Sequence, residues 1–290
     1  MILALDQIPD EAGWLMRQTV PVIAYGDGAS VNADVIVADI DAASAIEARV
    51  ASWPQAALVL VQVLRINELL PSSQGLDVES LAYATLQSGE EFAAWKRDQH
   101  PGQERPPCDG EPLLLQRDGA RMTASLNRPA LRNSISVPMR DAFIEALQVL
   151  EADDSLRELH FDAIGACFSV GGELREFGST PNPATAHWVR TVHSPARLLD
   201  SLGARVSFYL HGACIGSGIE LPAFASTVVA HPKAYFQLPE LQLGLIPGAG
   251  GTVGIARRIG RQRTGWLVLS GRRINAQTAL AWGLVDEIRD

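Results

Sequence analysis

Lysine is nearly absent from this sequence of 290 residues, and cysteine is scarce. Only Lys96 and Lys233 are lysines among the 24 basic residues, and neither follows a glycine-rich turn, which leaves little room for Schiff-base or P-loop chemistry. Cys108, Cys167 and Cys214 are scattered along the chain and form no CxxC pair. We therefore expect neither a disulfide framework nor a metal site.

Positive charge and long apolar runs are also lacking. The 24 basic residues are outnumbered by 33 acidic ones, which gives a net charge of -9 at pH 7. A protein that binds nucleic acid or an anionic membrane needs a basic surface, so we expect neither partner. No stretch of 18 apolar residues occurs, and residues 1–6 carry no basic segment of the kind that begins a secretory signal. These features predict a cytoplasmic protein.

The remaining composition is that of a globular chain, with 47% hydrophobic and 20% charged residues. A polar, proline-rich stretch at residues 100–107 predicts a linker. We therefore expect two domains, a small α/β domain over residues 1–110 and a larger one over residues 111–290. No catalytic constellation is evident in the first, and its role stays unassigned.

Hydrophobic periodicity predicts alternating strands and helices in both parts, hence an α/β fold with βαβ-type crossovers. In the first part we expect strands at 21–25, 35–38 and 57–64 and helices at 42–51, capped by Asp41, and 77–97. In the second part we expect a hairpin of 112–116 with 122–126, strands at 159–164, 206–210 and 227–230, and helices at 136–152, 184–203, 261–269 and 276–283.

Three glycine-rich junctions stand out, at residues 167–174, 211–220 and 239–251, and the first two follow predicted strands. Glycine lets backbone amides lie exposed at strand ends, where they can bind an anion or a developing oxyanion. The serine-hydrolase pattern GxSxG is absent around Ser217, and residues 248–253 do not complete the dinucleotide pattern GxGxxG. His211 is the one histidine beside these turns, and packing or hydrogen bonding is the ordinary role of such a residue.

Two glutamates, Glu220 and Glu240, lie in apolar surroundings within these junctions. Burial of a carboxyl group raises its pKa toward neutrality, which suits general acid–base catalysis. The alternative is a structural acid in the first turn of a helix. The local sequence leaves both interpretations open.

Several ordered motifs resemble those of the crotonase superfamily, the enoyl-CoA hydratase/isomerase proteins. Residues 127–134 are similar to its coenzyme A loop, residues 168–174 to its first oxyanion-hole motif and residues 212–221 to its second. Residues 239–252 are close to its most recognisable stretch, and residues 270–286 resemble the segment that closes its core. The resemblance implies a crotonase-like ββα spiral core, preceded here by the small α/β N-terminal domain.

The resemblance also implies an acyl-CoA thioester substrate and no cofactor beyond that coenzyme A. By position, the backbone amides of Val170 and Ser217 would form the oxyanion hole, and Glu220 and Glu240 would be catalytic. The residues implied in binding the substrate or its coenzyme A are Ala130, Leu131, Arg132, Ser169, Gly171, Gly172 and Gly216.

Glutamate at both positions fits the family's hydratases, since isomerases typically keep only one. We therefore expect a lyase that adds water to a 2-enoyl-CoA or removes it. The alternatives are an enoyl-CoA isomerase, a cofactor-free arylacetyl-CoA dioxygenase, a thioester hydrolase, or a catalytically weak binding or assembly protein.

The sequence departs from the family pattern at several points. Ser217 stands where glycine is usual, Glu173 where aspartate is usual, and the sequence ends at Asp290, where members usually continue into helices that cover the site and build oligomers. We expect a homo-oligomer, and we expect residues 1–110 to replace some of that cover or contact.

Overall fold

The computed structural model describes residues 1–99 and 110–290. The predicted linker at residues 100–107 and Cys108 lie outside the described residues. Within the described ranges, no helix is long and apolar enough to cross a membrane.

Over residues 1–99, the N-terminal part combines a small parallel sheet with four α-helices. Its elements are β1 (Ile2–Ala4), β2 (Ile23–Tyr25), β3 (Val35–Val37), α1 (Ile40–Ser52), α2 (Pro54–Asn67), α3 (Ser72–Leu86) and α4 (Glu90–Asp98). The three strands pair in parallel in the order β1-β2-β3. This is the α/β arrangement that the sequence predicts.

Three details of the N-terminal prediction are wrong. Residues 57–64 belong to α2 and not to a strand, because this helix packs against α1, α3, α9 and α10 and is therefore apolar on most sides, like a buried strand. The predicted helix 77–97 is two helices, separated at Ser88 and Gly89. The cap of α1 is Asp39, whose carboxylate accepts a 2.8 Å hydrogen bond from the amide of Ala42.

The C-terminal part begins with a hairpin and continues with alternating strands and helices. Its elements are β4 (Leu113–Asp118), β5 (Arg121–Leu126), α5 (Val137–Ala152), β6 (Glu158–Ala163), α6 (Pro183–Val192), α7 (Pro195–Leu202), β7 (Val206–Leu210), β8 (Ala213–Ile215), α8 (Ser217–Glu220), β9 (Thr227–Ala230), β10 (Tyr235–Gln237), α9 (Gly251–Ile259), α10 (Arg261–Ser270), β11 (Ile274–Asn275), α11 (Ala276–Trp282) and β12 (Glu287–Ile288). The predicted helix 184–203 is divided into α6 and α7, since Ser194 caps a new helix that begins at Pro195.

The main sheet has six strands in the order β12-β9-β7-β6-β5-β4. All neighbours run parallel except β4 and β5, which form the predicted antiparallel hairpin with Asp118 opposite Arg121. The face of the sheet packs on α5 through stacked rings, with Phe161 4.7 Å from Phe143 and 4.9 Å from Phe208 between ring centroids. A second sheet, β11-β10-β8, lies where the glycine-rich junctions meet.

Helices α2 and α3 of the N-terminal part pack against α9, and α1 and α2 pack against α10. A buried ion network joins the two parts: Asp34 pairs with Arg65 at 2.5 Å and with Arg261 of α10 at 3.4 Å. Arg261 also binds Glu68 at 2.8 Å and the carbonyl oxygen of Ala33. Because a buried charge is costly unless it is paired, this network fixes the N-terminal part on the core.

Candidate active site

A cavity of about 540 Å³ lies where the three glycine-rich junctions converge beneath α3 and α6. Its walls include Val170, Gly171, Gly172, Gly216, Ser217, Glu220 and Glu240. A site of this size that combines apolar walls with a few converging polar groups is typical of small-molecule binding.

The first two junctions are held in direct backbone contact. Ser169 pairs with Cys214 in an isolated parallel bridge. A Cβ atom on Gly171, whose φ is +93°, would lie 2.7 Å from the carbonyl oxygen of Ile215, and one on Gly218 would lie 2.7 Å from that of Ser169. Glycine is required at both positions because the two loops could not otherwise approach so closely.

The oxyanion prediction needs one correction. The amide of Val170 already donates a 3.2 Å hydrogen bond to the carbonyl oxygen of Arg132, so it is not free to bind a substrate oxygen. Among the described residues, no acceptor pairs with the amides of Gly172 and Ser217, and both residues line the cavity. The two available amides at the contact between the loops are therefore those of Gly172 and Ser217.

Glu220 is almost fully buried, with 2% of its surface exposed. Its Oε2 atom accepts hydrogen bonds from the amide of Ala249 at 2.8 Å and from that of Gly251 at 3.0 Å. These amides lie at the start of α9, where the helix favours a negative charge. Its Oε1 atom faces Gly216 and the cavity, 3.8 Å from the place that a Cβ atom of Gly216 would occupy.

Glu240 approaches the same point from the third junction. A Cβ atom on Gly216 would come within 2.7 Å of its Oε1 atom, so the two carboxyl groups flank one small space above this glycine. The Oε2 atom of Glu240 is buried without a hydrogen-bond partner among the described residues, as is the hydroxyl of Ser217. Unpartnered buried polar atoms that line a cavity indicate where a ligand or water binds.

Burial raises the pKa of both carboxyl groups. The pKa of Glu240 rises to about 8, chiefly through loss of solvation and further through the charge of Glu79. The pKa of Glu220 is raised well above its usual value by the same loss of solvation and by repulsion from Glu240 and Glu79. A pKa of about 8 places proton exchange of Glu240 near neutral pH, as general acid–base catalysis requires.

The residues implied in substrate binding fall into two groups. Gly171, Gly172 and Gly216 line the cavity, whereas the hydroxyl of Ser169 is buried beneath the loop, where it donates to the carbonyl oxygen of Asn133 at 2.7 Å and accepts from the amide of Gly171. The side chain of Ser169 is therefore structural, and its predicted role is corrected.

Ala130, Leu131 and Arg132 form an exposed to half-buried turn outside the cavity, pinned by the buried amide group of Asn133. Their predicted contact with coenzyme A stays a prediction. The ring of His211 is 3.0 Å from the carbonyl oxygen of Gly165 and does not line the cavity, which matches the structural interpretation. In the described part of the chain, no three His, Cys, Asp or Glu side chains come together as a metal site would require.

Sequence reasoning missed the contribution of the N-terminal part to this site. Helix α3 places Leu76, Glu79 and Tyr83 on the cavity wall, and Tyr83 carries the guanidinium of Arg190 over its ring at 3.8 Å. The available signal was Glu79 itself, a carboxylate three residues after Leu76 and four before Tyr83, hence on the buried face of an amphipathic helix.

Comparison with known proteins concerns the C-terminal part of the chain. A family model described as enoyl-CoA hydratase/isomerase matches residues 120–289. This chain belongs to the enoyl-CoA hydratase/isomerase family. The predicted crotonase resemblance and fold class are thereby confirmed, while Glu79 and Tyr83 precede the residues that the family model matches.

Relatives within the enoyl-CoA hydratase/isomerase family carry different reaction names. The chain is 30% identical over 182 residues to the 2,3-dehydroadipyl-CoA hydratase of Escherichia coli, covering 61% of this chain and 68% of that protein. It is 32% identical over 173 residues to the 1,2-epoxyphenylacetyl-CoA isomerase of the same organism, covering 58% and 66%. A solved enoyl-CoA hydratase from Thermoplasma volcanium aligns with a TM-score of 0.56 and 28% identity over 62% of this chain and 73% of that one.

Proposed function

We propose that the protein catalyses the reversible addition of water to the double bond of a 2-enoyl-CoA thioester. The observation that carries this proposal is the convergence of two buried carboxyl groups, Glu220 and Glu240, on one cavity beside two available amides. Hydration needs one group to accept a proton from water and another to deliver a proton to carbon. Two carboxyl groups with raised pKa values supply both.

Hydrogen bonds support the roles that we propose for the two carboxyl groups. Two amides and the start of α9 stabilise the ionised form of Glu220, whereas the Oε2 atom of Glu240 has no such partner among the described residues. We therefore propose that a single proton shared by the pair resides on Glu240, where these hydrogen bonds oppose the rise that burial and the neighbouring carboxylates cause in the pKa of Glu220. In the proposed reaction the oxygen of a water molecule bonds to the β-carbon while Glu220 takes a proton from that water. Glu240 gives its proton to the α-carbon.

The amides of Gly172 and Ser217 act on the thioester oxygen of the substrate. As water adds to the β-carbon, electrons move onto the thioester oxygen, and fixed backbone dipoles stabilise this charge without reorganising. Loss of one such donor costs roughly 3–4 kcal/mol of transition-state stabilisation. We propose that the reaction uses no cofactor beyond the coenzyme A of the substrate, and that the turn at Ala130, Leu131 and Arg132 contacts that coenzyme A.

The test is a panel of 2-enoyl-CoA and 3-enoyl-CoA thioesters of different chain length, followed by the absorbance of the conjugated double bond. Loss of absorbance with a 2-enoyl-CoA is the expected result. If absorbance rises with a 3-enoyl-CoA and does not fall with any 2-enoyl-CoA, the reaction is isomerisation and not hydration.

Other outcomes of the same panel identify the remaining alternatives. Oxygen uptake with an arylacetyl-CoA would indicate the dioxygenase, and release of free thiol would indicate a thioester hydrolase. Binding of acyl-CoA without turnover of any thioester would indicate a binding or assembly protein. Each of these results would contradict the hydratase proposal.

A further inference from the structure

The N-terminal part supplies a third buried carboxyl group to the active site. Glu79, in the middle of α3, has 2% of its surface exposed and lines the cavity that holds Glu220 and Glu240. It lies outside residues 120–289, which the family model matches, so its position is a property of this chain's additional segment.

Glu79 and Glu220 bind alternate amides of one short segment. The amides of Ala249 and Gly251 donate to Glu220, and the amide of Gly250 donates to Oε1 of Glu79 at 2.6 Å. The amide of Thr252 donates to Oε2 of Glu79 at 2.9 Å, and its hydroxyl donates to the same atom at 2.6 Å. Four consecutive amides at the start of α9 are thus divided between two carboxylates.

This arrangement couples the position of Glu220 to that of Glu79. Without Glu79, the buried amides of Gly250 and Thr252 would lose their acceptor, whereas the amides of Ala249 and Gly251 would keep theirs, the carboxylate of Glu220. A buried donor left without a partner forces local rearrangement, because its desolvation is no longer compensated. Movement of this segment would carry the amides of Ala249 and Gly251, and with them the carboxylate of Glu220.

We propose that Glu79 is a positioning residue of this active site: it holds residues 249–252 where they orient Glu220, and its negative charge acts on the Glu220–Glu240 pair. The proposal rests on the proposed function only for its kinetic consequences.

The charged and titratable neighbours of Glu79 come from several elements. Arg190 of α6 opposes its charge, Glu220 and Glu240 repel it, and Tyr83 follows it on α3. The ring of His187 lies against the hydroxyl of Ser80, the next residue along α3. Burial raises the pKa of Glu79 to about 7, with Thr252, Gly250 and Arg190 opposing the rise.

The kinetic test compares Glu79→Gln with Glu79→Asp and a matched control. Glu91→Gln is the control, because Glu91 also accepts two backbone amides at a helix start, those of Gln55 and Ala56, away from the cavity. We expect Glu79→Gln to lower kcat for hydration by roughly ten- to a hundredfold, the cost of a small misplacement of a catalytic group, with KM changed much less. Glu91→Gln should keep wild-type kcat and KM.

The effect of the charge of Glu79 can be measured separately, in the pH dependence of kcat. Removing it in Glu79→Gln should lower the pKa values of the Glu220–Glu240 pair, so both limbs of the kcat–pH profile move to lower pH. Glu79→Asp keeps the charge and shortens the reach, so it should lower kcat while leaving the limbs in place. If both variants lose thermal stability but keep wild-type kcat and pH limbs, Glu79 is merely structural and the proposal is overturned.

A second readout does not depend on the reaction. In protein labelled with 13C at the glutamate carboxyl carbons, Glu220 and Glu240 are identified by the signals lost in Glu220→Gln and Glu240→Gln. The titration of the Glu220 and Glu240 signals should move to lower pH in Glu79→Gln and remain unchanged in Glu91→Gln. An unchanged titration would overturn the proposal even if no enoyl-CoA is hydrated, whereas a shift with inactive wild-type protein would overturn only the proposed function.

Thr252→Val serves where Glu79→Gln does not fold. This substitution removes the hydroxyl group that donates to Glu79 and leaves the carboxyl groups of Glu79, Glu220 and Glu240 in the chain. The positioning role is supported if Thr252→Val loses less kcat than Glu79→Asp does and keeps the KM of the wild-type protein. Wild-type kcat in both Thr252→Val and Glu79→Asp would contradict it.

Discussion

The substitution Glu240→Gln should change how the stability of the folded protein depends on pH. The folded chain buries this carboxyl group without a partner for its Oε2 atom among the described residues, and its pKa rises from 4.5 to about 8. Between these values the folded protein holds a proton that the unfolded chain releases. Stability must therefore fall as the pH rises from about 5 to 8.

The size of this effect follows from the pKa itself. Each unit of pKa difference corresponds to about 1.4 kcal/mol, so the Glu240 carboxyl group removes roughly 3 kcal/mol of unfolding free energy between pH 5 and pH 8. Glutamine does not titrate, and this part of the pH dependence should disappear in Glu240→Gln. The slope that remains includes the contributions of Glu79 and Glu220, whose pKa values are also raised by burial, and an opposing contribution from His160, whose pKa is lowered by burial.

Urea unfolding followed by circular dichroism at several pH values from 5 to 8 measures both slopes. Glu145→Gln is the control, since Glu145 is exposed on α5, and it should keep the wild-type slope. Equal pH slopes in wild type and Glu240→Gln would refute the claim that Glu240 is buried with a raised pKa.

Four further substitutions test the site and its support. Glu220→Gln removes the proposed base and should lower kcat for hydration by roughly 10²–10⁴-fold, with an unchanged circular dichroism spectrum. Gly216→Ala should lower kcat by about tenfold or more, because the new Cβ atom would lie 2.7 Å from Oε1 of Glu240; Gly119→Ala, with a similar positive φ and open space around it, should keep full activity. Gly171→Ala should separate the two oxyanion loops and lower kcat in the same assay, since its Cβ atom would meet the carbonyl oxygen of Ile215. Asp34→Ala leaves Arg65 buried without its carboxylate partner and should lower the free energy of unfolding in urea by about 3–5 kcal/mol, whereas a loss below about 1 kcal/mol would contradict the buried network.

Much of the core could be predicted from the sequence because its signals are local. The hairpin across Asp118 and Gly119 and the strands at Val206–Leu210 and Thr227–Ala230 follow from alternation and turn residues alone. The approach of Glu220 and Glu240 followed from the resemblance of their motifs to those of a family. Their shared space above Gly216 is a three-dimensional fact that no spacing in the sequence expresses.

The errors arose where a residue's role depends on contacts distant in sequence. The apolar run at residues 57–64 resembles a buried strand because four helices, α1, α3, α9 and α10, cover α2. The oxyanion amide was placed at Val170, although only the hydrogen bond to Arg132 reveals that this amide is occupied. Glu79 was overlooked because its partners, Gly250 and Thr252, are more than 170 residues away along the chain.

The most direct test of the central claim is the product formed from a 2-enoyl-CoA in water enriched in 18O. Wild-type protein should yield a 3-hydroxyacyl-CoA whose mass shows one solvent oxygen, and Glu220→Gln and Glu240→Gln should yield far less of it. A product without solvent oxygen, or full conversion by either variant, would contradict the proposal that these two carboxyl groups add water to the double bond.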